Sequence, residues 1–338
     1  MADVFTAELT FGPAQSGMMT PSLPSTPYRT ILLRGSSVYA SYALADVFTL
    51  PQYWSGGTQY TPVTALPGYS FTRSGQQGAV DASGAVQFFN ANVPAINSAG
   101  FHSYGALTNI LLQSQTFQTA PWSPINVSVT PNALLAPDGT TTAAKLVRTL
   151  SAISQASQSI TRSTGFATQS IIAKAGEDNF VWINPNDGAD NYTWFNLSNG
   201  TVGTNAVGNV PYIISLGNGY YRCVVVRNMA GSGYFVVGLS GTDGNNSTGI
   251  VSNGIYIWQA QEITGNFPNG GPLIVTTTAA ASIGASSLSQ SLANGTYSAA
   301  YTFDDNSTQT INPTTIAAGT YAFPGSLNRN IVKQVLIS

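Results

Sequence analysis

The 338-residue sequence predicts an all-β protein with more than one domain. Short segments of alternating apolar and polar residues recur along most of the chain, and Asn, Gly and Asp residues typical of turns separate them. No stretch has the apolar spacing of an amphipathic helix of three turns. Aromatic residues make up 11% of the chain, a composition that indicates folded rather than disordered structure.

Residues 1–65 have the least regular pattern. Pro13, Pro21, Pro24 and Pro27 exclude a long helix in the opening segment. Short strands are predicted at residues 30–34 and 37–42. Because the segment is rich in proline and lacks the motifs of the rest of the chain, we interpret it as a docking segment that becomes ordered on its partners.

Residues 66–108 are predicted to form a short β lead-in. Strands are expected at residues 69–73 and 86–89, with a turn at residues 81–84. Residues 90–100 have the composition of an extended linker. The lead-in therefore precedes a larger unit instead of forming a core of its own.

Residues 109–269 contain the densest series of predicted strands. Asn-Gly and Gly-Asn-Gly turns separate most of them. Many short strands with turns between them predict a sandwich or a barrel. The predicted strands are residues 125–129, 144–148, 153–160, 170–174, 180–183, 192–195, 221–226, 234–237 and 254–258.

Residues 270–338 are predicted to form a small C-terminal β domain. The Pro-Asn-Gly-Gly-Pro sequence at 268–272 marks its boundary, and Gly-Thr-Tyr occurs twice, at 295–297 and 319–321. A hairpin is expected between residues 298–303 and 308–311, and residues 331–337 predict a final strand.

Composition excludes several functions. The chain has 11 Lys and Arg and 13 Asp and Glu, so 7% of it is charged, against about 25% in a typical soluble protein. With a net charge of -2 it lacks the basic clusters that bind nucleic acid, and no apolar run reaches the roughly 20 residues of a membrane span. One His and one Cys leave almost no material for a zinc site, and a single Cys excludes an internal disulfide. The opening residues do not read as a secretory signal, which favours synthesis in a reducing cytoplasm.

An ordered set of motifs runs through the middle of the chain. Together these motifs resemble the carbohydrate-binding-module-like jelly roll found in many tailed-bacteriophage virion proteins. Residues 71–73, 80–84 and 92–94 resemble the lead-in of such proteins, and the C-terminal unit resembles small β modules that end them. The motifs are TNILLQSQTF at 108–117 followed by Trp122, APDGTT at 136–141, ISQ at 153–155, AKAGE at 173–177, WFNL at 194–197 with GTVG at 200–203, GNGYYRC at 217–223 and GIYIWQAQ at 254–261.

The resemblance implies a central jelly-roll β-sandwich and a structural role in a phage particle. The preferred interpretation is a tail-fibre or tail-tip adhesin that binds host surface glycan or another surface receptor. It also implies contacts with other virion proteins through residues 1–65, assembly as a homotrimer, and a final location in the virion after synthesis in the host cytoplasm. Two alternatives remain open: a capsid decoration or head-fibre protein, and a polysaccharide-degrading tailspike enzyme.

No cofactor is expected. Cellulose- and xylan-binding relatives of this jelly roll place an acidic residue late in the last strand, where it ligates a structural calcium ion. Trp258 and Gln259 stand at about that point here. An amide oxygen is a poorer ligand for Ca²⁺ than a carboxylate, which argues against that calcium site.

Glycan binding would depend on flat aromatic rings and on neutral hydrogen-bonding side chains. Trp182 and Trp194 lie on consecutive predicted strands and are expected to share a sheet face. The alternative is that these rings fill the core of the sandwich. The candidate glycan-binding residues are Trp182, Tyr192, Trp194, Tyr220, Asn191 and Asn196.

No catalytic residues are predicted. Glycoside hydrolysis needs two carboxyl groups at a set separation, and three pairs exist, at 177–178, 187 with 190, and 304–305. All lie in predicted turns, where Asp has a conformational role. His102 has no catalytic partner in the sequence, and Cys223 lies in a predicted strand as a small buried residue. We therefore expect a binding protein and not an enzyme.

Overall fold

A computed structural model describes residues 29–32, 45–49, 52–55, 58–60, 68–292, 294–317 and 319–337. Within those ranges the chain forms strands, turns and loops, and no helix occurs. The all-β prediction is confirmed. The strand predicted at residues 37–42 lies outside the described residues.

The central part of the chain is a sandwich of two antiparallel six-stranded sheets, which we name the front sheet and the back sheet. The front sheet has the order β11 (Ser123–Ile125), β14 (Gln155–Ile160), β21 (Gly233–Ser240), β16 (Phe180–Asn186), β17 (Thr193–Asn196) and β18 (Thr201–Asn205). The back sheet has the order β12 (Val127–Leu134), β13 (Ala143–Arg148), β22 (Gly254–Thr264), β15 (Gly165–Ala175), β20 (Tyr220–Met229) and β19 (Asn209–Ser215).

Alternation along each strand divides its side chains between the sandwich core and the outside. On β16, Val181 and Ile183 are fully buried in the core between the sheets, together with Phe195 and Cys223. Trp182 lies between the first two in sequence and therefore points to the outer face of the front sheet. The jelly-roll sandwich predicted for this region is confirmed.

The outer face of the back sheet is buried by other parts of the chain. The hairpin of β6 (Gln77–Val80) and β7 (Val86–Phe89) lies on it, and Val86 and Leu273 join Tyr220 and Trp258 in one apolar cluster. A second cluster packs Ile263, near the end of β22, against Tyr104 and Ile283. The part of the back sheet beneath these two clusters is therefore covered on both faces.

A buried arginine fastens the end of the jelly roll to the segment that follows it. The guanidinium of Arg222 donates to the carbonyl oxygens of Asn269, Gly270 and Gly271 at 3.2, 2.7 and 2.7 Å. Burial lowers the pKa of Arg222 to about 10, so the group stays charged at neutral pH. The predicted boundary at residues 268–272 is therefore a packed turn and not a free linker.

The ends of the described chain meet in a third sheet, the terminal sheet. Strand β1 (Arg29–Leu32) pairs antiparallel with β28 (Ile331–Ile337) and parallel with β2 (Ala45–Thr49). Strand β9 (Gly100–His102), which belongs to the lead-in, also pairs with β28. The described strands of this sheet are β26 (Thr308–Ile316), β25 (Gly295–Phe303), β28 (Ile331–Ile337), β1 (Arg29–Leu32), β2 (Ala45–Thr49), β3 (Gln52–Ser55) and β4 (Thr58–Tyr60), with β8 (Ile96–Asn97) and β9 (Gly100–His102) beside β28.

Two smaller sheets complete the described part of the chain. Both join the lead-in to the C-terminal region, because β5 pairs with β24 and β10 pairs with β23. One contains β27 (Thr320–Ala322), β24 (Ser287–Ser291) and β5 (Tyr69–Thr72), and the other contains β10 (Leu107–Asn109) and β23 (Ala281–Ile283).

Several local predictions outside the jelly roll agree with the structure. Strand β7 and the final strand β28 have the predicted bounds, and β25 pairs with β26 as the predicted hairpin. The predicted linker at residues 90–100 differs, because it contains β8, in which Ile96 and Asn97 are buried. Sheets cross the boundaries predicted at residues 65, 108 and 269, and the division into four domains stays a prediction.

Candidate functional site

The front face, by which we mean the outer face of the front sheet, brings together two of the candidate aromatic residues. Trp182 and Trp194 are direct cross-strand partners on β16 and β17, so they share a face as predicted. The register places Gly238 of β21 on the other side of Trp182. A Cβ atom at Gly238 would lie 2.0 Å from Cζ2 of Trp182, so the indole ring lies across this glycine.

Both tryptophans are closely packed. Their side chains form a small apolar cluster with Val236, and the exposed fraction is 0% for Trp182 and 6% for Trp194. Tyr192 lies against both, with ring centroids 5.1 Å from Trp182 and 5.4 Å from Trp194. A ring with no exposed face cannot stack on a sugar from solvent. These two side chains are therefore packed against other residues, as the alternative expected. Their cluster lies on the outer face of the front sheet and not in the core between the two sheets.

Tyr192 is half-buried and belongs to a polar network around Asp190. Asn184 Nδ2 and Asn186 Nδ2 donate to Asp190 Oδ1 at 2.8 and 3.0 Å. Burial raises the pKa of Tyr192, and the Asp190 carboxylate, which is hydrogen-bonded to its hydroxyl, raises it further. Tyr192 is therefore a neutral donor at physiological pH, and the exposed Asp190 is held in place by neutral partners.

The two candidate asparagines stabilise turns. Asn191 is buried, and its Nδ2 donates to Asp187 Oδ1 and to the carbonyl of Ala189. Asn196 Oδ1 accepts from both the backbone N–H and the hydroxyl of Ser198, an arrangement typical of Asx turns. Of the two, Asn196 is the more exposed and keeps its amide nitrogen available to a ligand.

Tyr220 lies far from the other candidates in the fold. It is on β20, on the outer face of the back sheet, where it is buried in the cluster that contains Trp258. Its hydroxyl donates to the carbonyl of Leu135 at 2.9 Å. The sequence motif identified an aromatic residue here, but it gave no information on which sheet the strand joins.

Tyr234 is a front-face aromatic residue that the sequence reasoning did not select. It is 49% exposed and lies between Ser159 and Asn186 in the register of β14, β21 and β16. Because Asn186 also donates to Asp190, Tyr234 borders the polar network of Tyr192. The alternation in β21 was the available signal, since Phe235 and Val237 are core residues and Tyr234 must face away from them.

The carboxylates considered for catalysis are mostly held by cations. Asp178 is paired with Arg148, Glu177 with Lys145 at 2.7 Å, and Asp304 with Arg329 at 2.7 Å. Asp187 lies 3.6 Å from Arg227, and its carboxylate also accepts the backbone N–H of Ala230 at 2.9 Å. Each of these carboxylates is thus paired with a cationic side chain of the described part of the chain.

Metal ligands do not cluster in the described part of the chain, where no group of three or more His, Cys, Asp or Glu is placed to hold an ion. At the position considered for calcium, Gln259 is fully buried. Its Nε2 donates to the carbonyl of Ile274 at 3.0 Å, and its Oε1 accepts from Gln115 Nε2 at 2.9 Å. The amide is thus already bound to protein groups.

The single His and the single Cys are both buried. His102 Nε2 lies 3.0 Å from Asn97 Oδ1, and burial lowers the pKa of His102 to about 4. Burial raises the pKa of the Cys223 thiol, which lies in the sandwich core. Neither residue has the exposure that a catalytic nucleophile or base requires.

The sequence matches no protein-family model, and no curated protein is significantly similar to it. None of the described residues belongs to a helix with the length and apolarity of a membrane crossing. Function therefore has to be inferred from the residues and the fold.

Proposed function

We propose that the chain is a structural subunit of a tailed-phage particle that displays its jelly roll as an adhesive domain for a neutral host-surface glycan. The tail fibre or the tail tip is the preferred location of this subunit in the particle. The order of motifs in residues 108–261 supports the phage resemblance, and the jelly-roll sandwich is the fold that this resemblance implies.

The observation that carries the adhesive role is the asymmetry of the two outer faces. The back sheet is buried against the lead-in and residues near Leu273. The apolar cluster of the front face, by contrast, contains only jelly-roll residues. The front face is therefore a surface of the sandwich on which a ligand has room to bind.

The exposed groups of the front face suit a neutral sugar. Tyr234 offers a ring face, and the neighbouring Ser159, Asn186 and Tyr192 offer hydroxyl and amide groups. The carboxylate of Asp190, which accepts a hydrogen bond from Asn186, borders this patch, and carboxylates commonly accept hydrogen bonds from hydroxyl groups. Uncharged ligands are bound by ring faces and paired hydrogen bonds, and this patch provides both.

A capsid decoration or head-fibre protein is the first alternative, and the same modules would serve it. Fractionation of purified particles into heads and tails, followed by mass spectrometry, distinguishes the two. A polysaccharide hydrolase is the second alternative. Release of reducing ends from host polysaccharide would favour it over a binding role.

Substitution of Tyr234 tests the proposed glycan site. The full chain is measured for binding to an array of neutral bacterial oligosaccharides. Tyr234→Ala is expected to weaken binding about tenfold, which corresponds to about 1.4 kcal/mol. Its melting temperature should stay near that of the unaltered chain, because the ring is half exposed.

Tyr212→Ala is the matched control, since Tyr212 is a partly exposed tyrosine on β19 of the back sheet. It should leave glycan binding unchanged. Equal binding by Tyr234→Ala and the unaltered chain would remove the front-face site from the proposal. Absence of the protein from purified particles would remove the structural role.

A further inference from the structure

One end of the jelly roll exposes five large aliphatic side chains, a set that we name the apolar tip. They come from the end of β11, from the loop between β13 and β14, and from the loop between β21 and β22. Monomeric proteins rarely expose contiguous apolar patches of this kind without a partner. The exposed fractions are 44% for Ile125, 55% for Leu150, 39% for Ile153, 69% for Ile250 and 49% for Val251.

Hydrogen bonds hold the three segments of the apolar tip together. Asn126 Nδ2 donates to the carbonyl of Ile153 at 2.8 Å, and the backbone N–H of Thr149 donates to the carbonyl of Asn126 at 2.9 Å. The second and third segments meet where the N–H of Ser252 donates to the carbonyl of Arg148 at 2.9 Å. The backbone segments that carry the five exposed aliphatic side chains therefore lie next to one another.

A buried arginine fixes the base of the apolar tip. Arg148 donates to the carbonyls of Ala152 and Leu239 at 2.8 and 2.9 Å and to Ser154 Oγ at 2.9 Å, and it pairs with Asp178. The tip loops are thus held from beneath by a fully buried guanidinium. A surface ordered before binding loses little conformational entropy when a partner docks on it.

The apolar tip lies at the end of the sandwich opposite the terminal sheet. Strand β22 begins at Gly254, beside the tip, and ends at Thr264. Near that far end Ile263 packs against Tyr104 and Ile283, which lead to the terminal sheet and its neighbours. Contacts of the tip therefore do not compete with the packing of the terminal sheet.

The residue composition of the apolar tip indicates which class of partner it fits. Residues 123–127, 149–154 and 245–253 contain no Asp, Glu, Lys, Arg or His, and no aromatic residue. Membrane-binding surfaces use Trp, Tyr, Lys and Arg, and interfaces with other proteins are enriched in Tyr, Trp and Arg. Interfaces between copies of one chain are more apolar than other interfaces, and charged residues are depleted at their centres.

We infer that the apolar tip is the contact surface between copies of this chain. A surface that lies on the symmetry axis of an oligomer meets the same residues of the other copies, so it has to be complementary to itself. An uncharged aliphatic surface meets this condition because no like charges come together. The five side chains then pack against their counterparts and leave the front face free.

Disruption of the apolar tip tests this inference. Sedimentation of the full chain at micromolar concentration is expected to show an oligomer. The double variant Leu150→Asn with Ile250→Asn should raise its dissociation constant at least about 100-fold, with little change in melting temperature. Val207→Asn is the matched control, because Val207 is 97% exposed but lies in the turn between β18 and β19, away from the tip.

Crosslinking gives a second, independent measurement. Ser151 is exposed in the tip, and Cys223 is buried, so Ser151→Cys introduces one accessible thiol per chain. Mild oxidation with copper phenanthroline should link Ser151→Cys chains in pairs and leave Val207→Cys chains unlinked. A monomeric chain overturns the inference, as does an oligomer that the double variant leaves intact. Binding to phosphatidylcholine vesicles that the double variant abolishes would assign the tip to lipid instead.

Discussion

The two outer faces of the jelly roll both bury tryptophan side chains, but in different surroundings. On the back face Trp258 packs with Val86 and Leu273, and its Nε1 donates to Thr142 Oγ1 at 3.0 Å. On the front face Trp182 and Trp194 are buried by neighbouring jelly-roll residues, and neither indole N–H has a hydrogen-bond partner in the protein. Other segments of the chain cover Trp258 on the back face, whereas residues of the jelly roll itself bury the two tryptophans of the front face.

The front and back aromatic clusters therefore differ in their contribution to stability and in the parts of the chain that they join. A buried donor without a partner costs about 1–3 kcal/mol, so the front cluster is less favourable than the back cluster of comparable rings. Packing with distant segments on the back face joins the lead-in, the jelly roll and the C-terminal region. The front cluster instead packs against the half-buried Tyr192.

The largest expected effect tests whether the terminal sheet and the jelly roll unfold together. His102 lies in β9, and burial lowers its pKa from 6.5 to about 4. Between these values the unfolded chain binds a proton that the folded chain does not. The contribution of the neutral His102 to the free energy of unfolding is therefore full above pH 6.5, and about 3 kcal/mol of it is lost as the pH drops to about 4. Urea unfolding at a series of pH values measures this loss.

Two controls sharpen that measurement. His102→Gln removes the titrating group and should flatten the profile between pH 6.5 and 4. Tryptophan fluorescence reports mainly on the jelly roll, because Trp122, Trp182, Trp194 and Trp258 lie there. If fluorescence and circular dichroism give separate transitions in acid, the back face does not couple the two regions.

The next effect concerns the front face, where Trp182 lies across Gly238. A methyl group at Gly238 would lie 2.0 Å from the indole ring and 2.7 Å from the carbonyl oxygen of Ser154. Gly238→Ala is therefore expected to cost about 1–3 kcal/mol. Gly105→Ala is the control, because nothing lies within 4 Å of a Cβ there, and it should change stability by less than about 0.5 kcal/mol. Equal unfolding free energies for the two variants would contradict the packing of Trp182.

The smallest effect compares the two faces directly. Trp258→Phe loses the hydrogen bond to Thr142, whereas Trp182→Phe loses only an N–H without a partner. Both variants lose similar ring volume, so their difference isolates the polar contribution. Trp258→Phe should be less stable than Trp182→Phe by about 1–2 kcal/mol. The reverse order in urea unfolding would show that the two indole groups do not differ as described.

The sequence predicted those features that depend on neighbouring residues. Alternation in β16 and β17 placed Trp182 and Trp194 on one face, and the turn residues located the hairpin of β25 and β26. It could not tell which rings are buried, because burial depends on the loop that carries Tyr192 and on Gly238, which lies 56 residues after Trp182 in the chain.

Long-range partners explain the other differences. Residues 268–272 have the composition of a linker, yet the carbonyls there bind Arg222, almost 50 residues earlier. The sequence groups Tyr220 with Trp182 because both are aromatic residues of one predicted domain. Their strands belong to different sheets, and strand order in a sandwich is decided by pairing across the whole domain.

The hydrogen bonds from Arg222 to three backbone carbonyls have a mechanical consequence. Two rigid bodies joined by a Pro- and Gly-rich connector would ordinarily swing about it, and a load applied to one would first straighten the connector. Here the connector is fastened to β20 inside the jelly roll. Tension on the terminal sheet is therefore transmitted to the jelly roll without first straightening the connector.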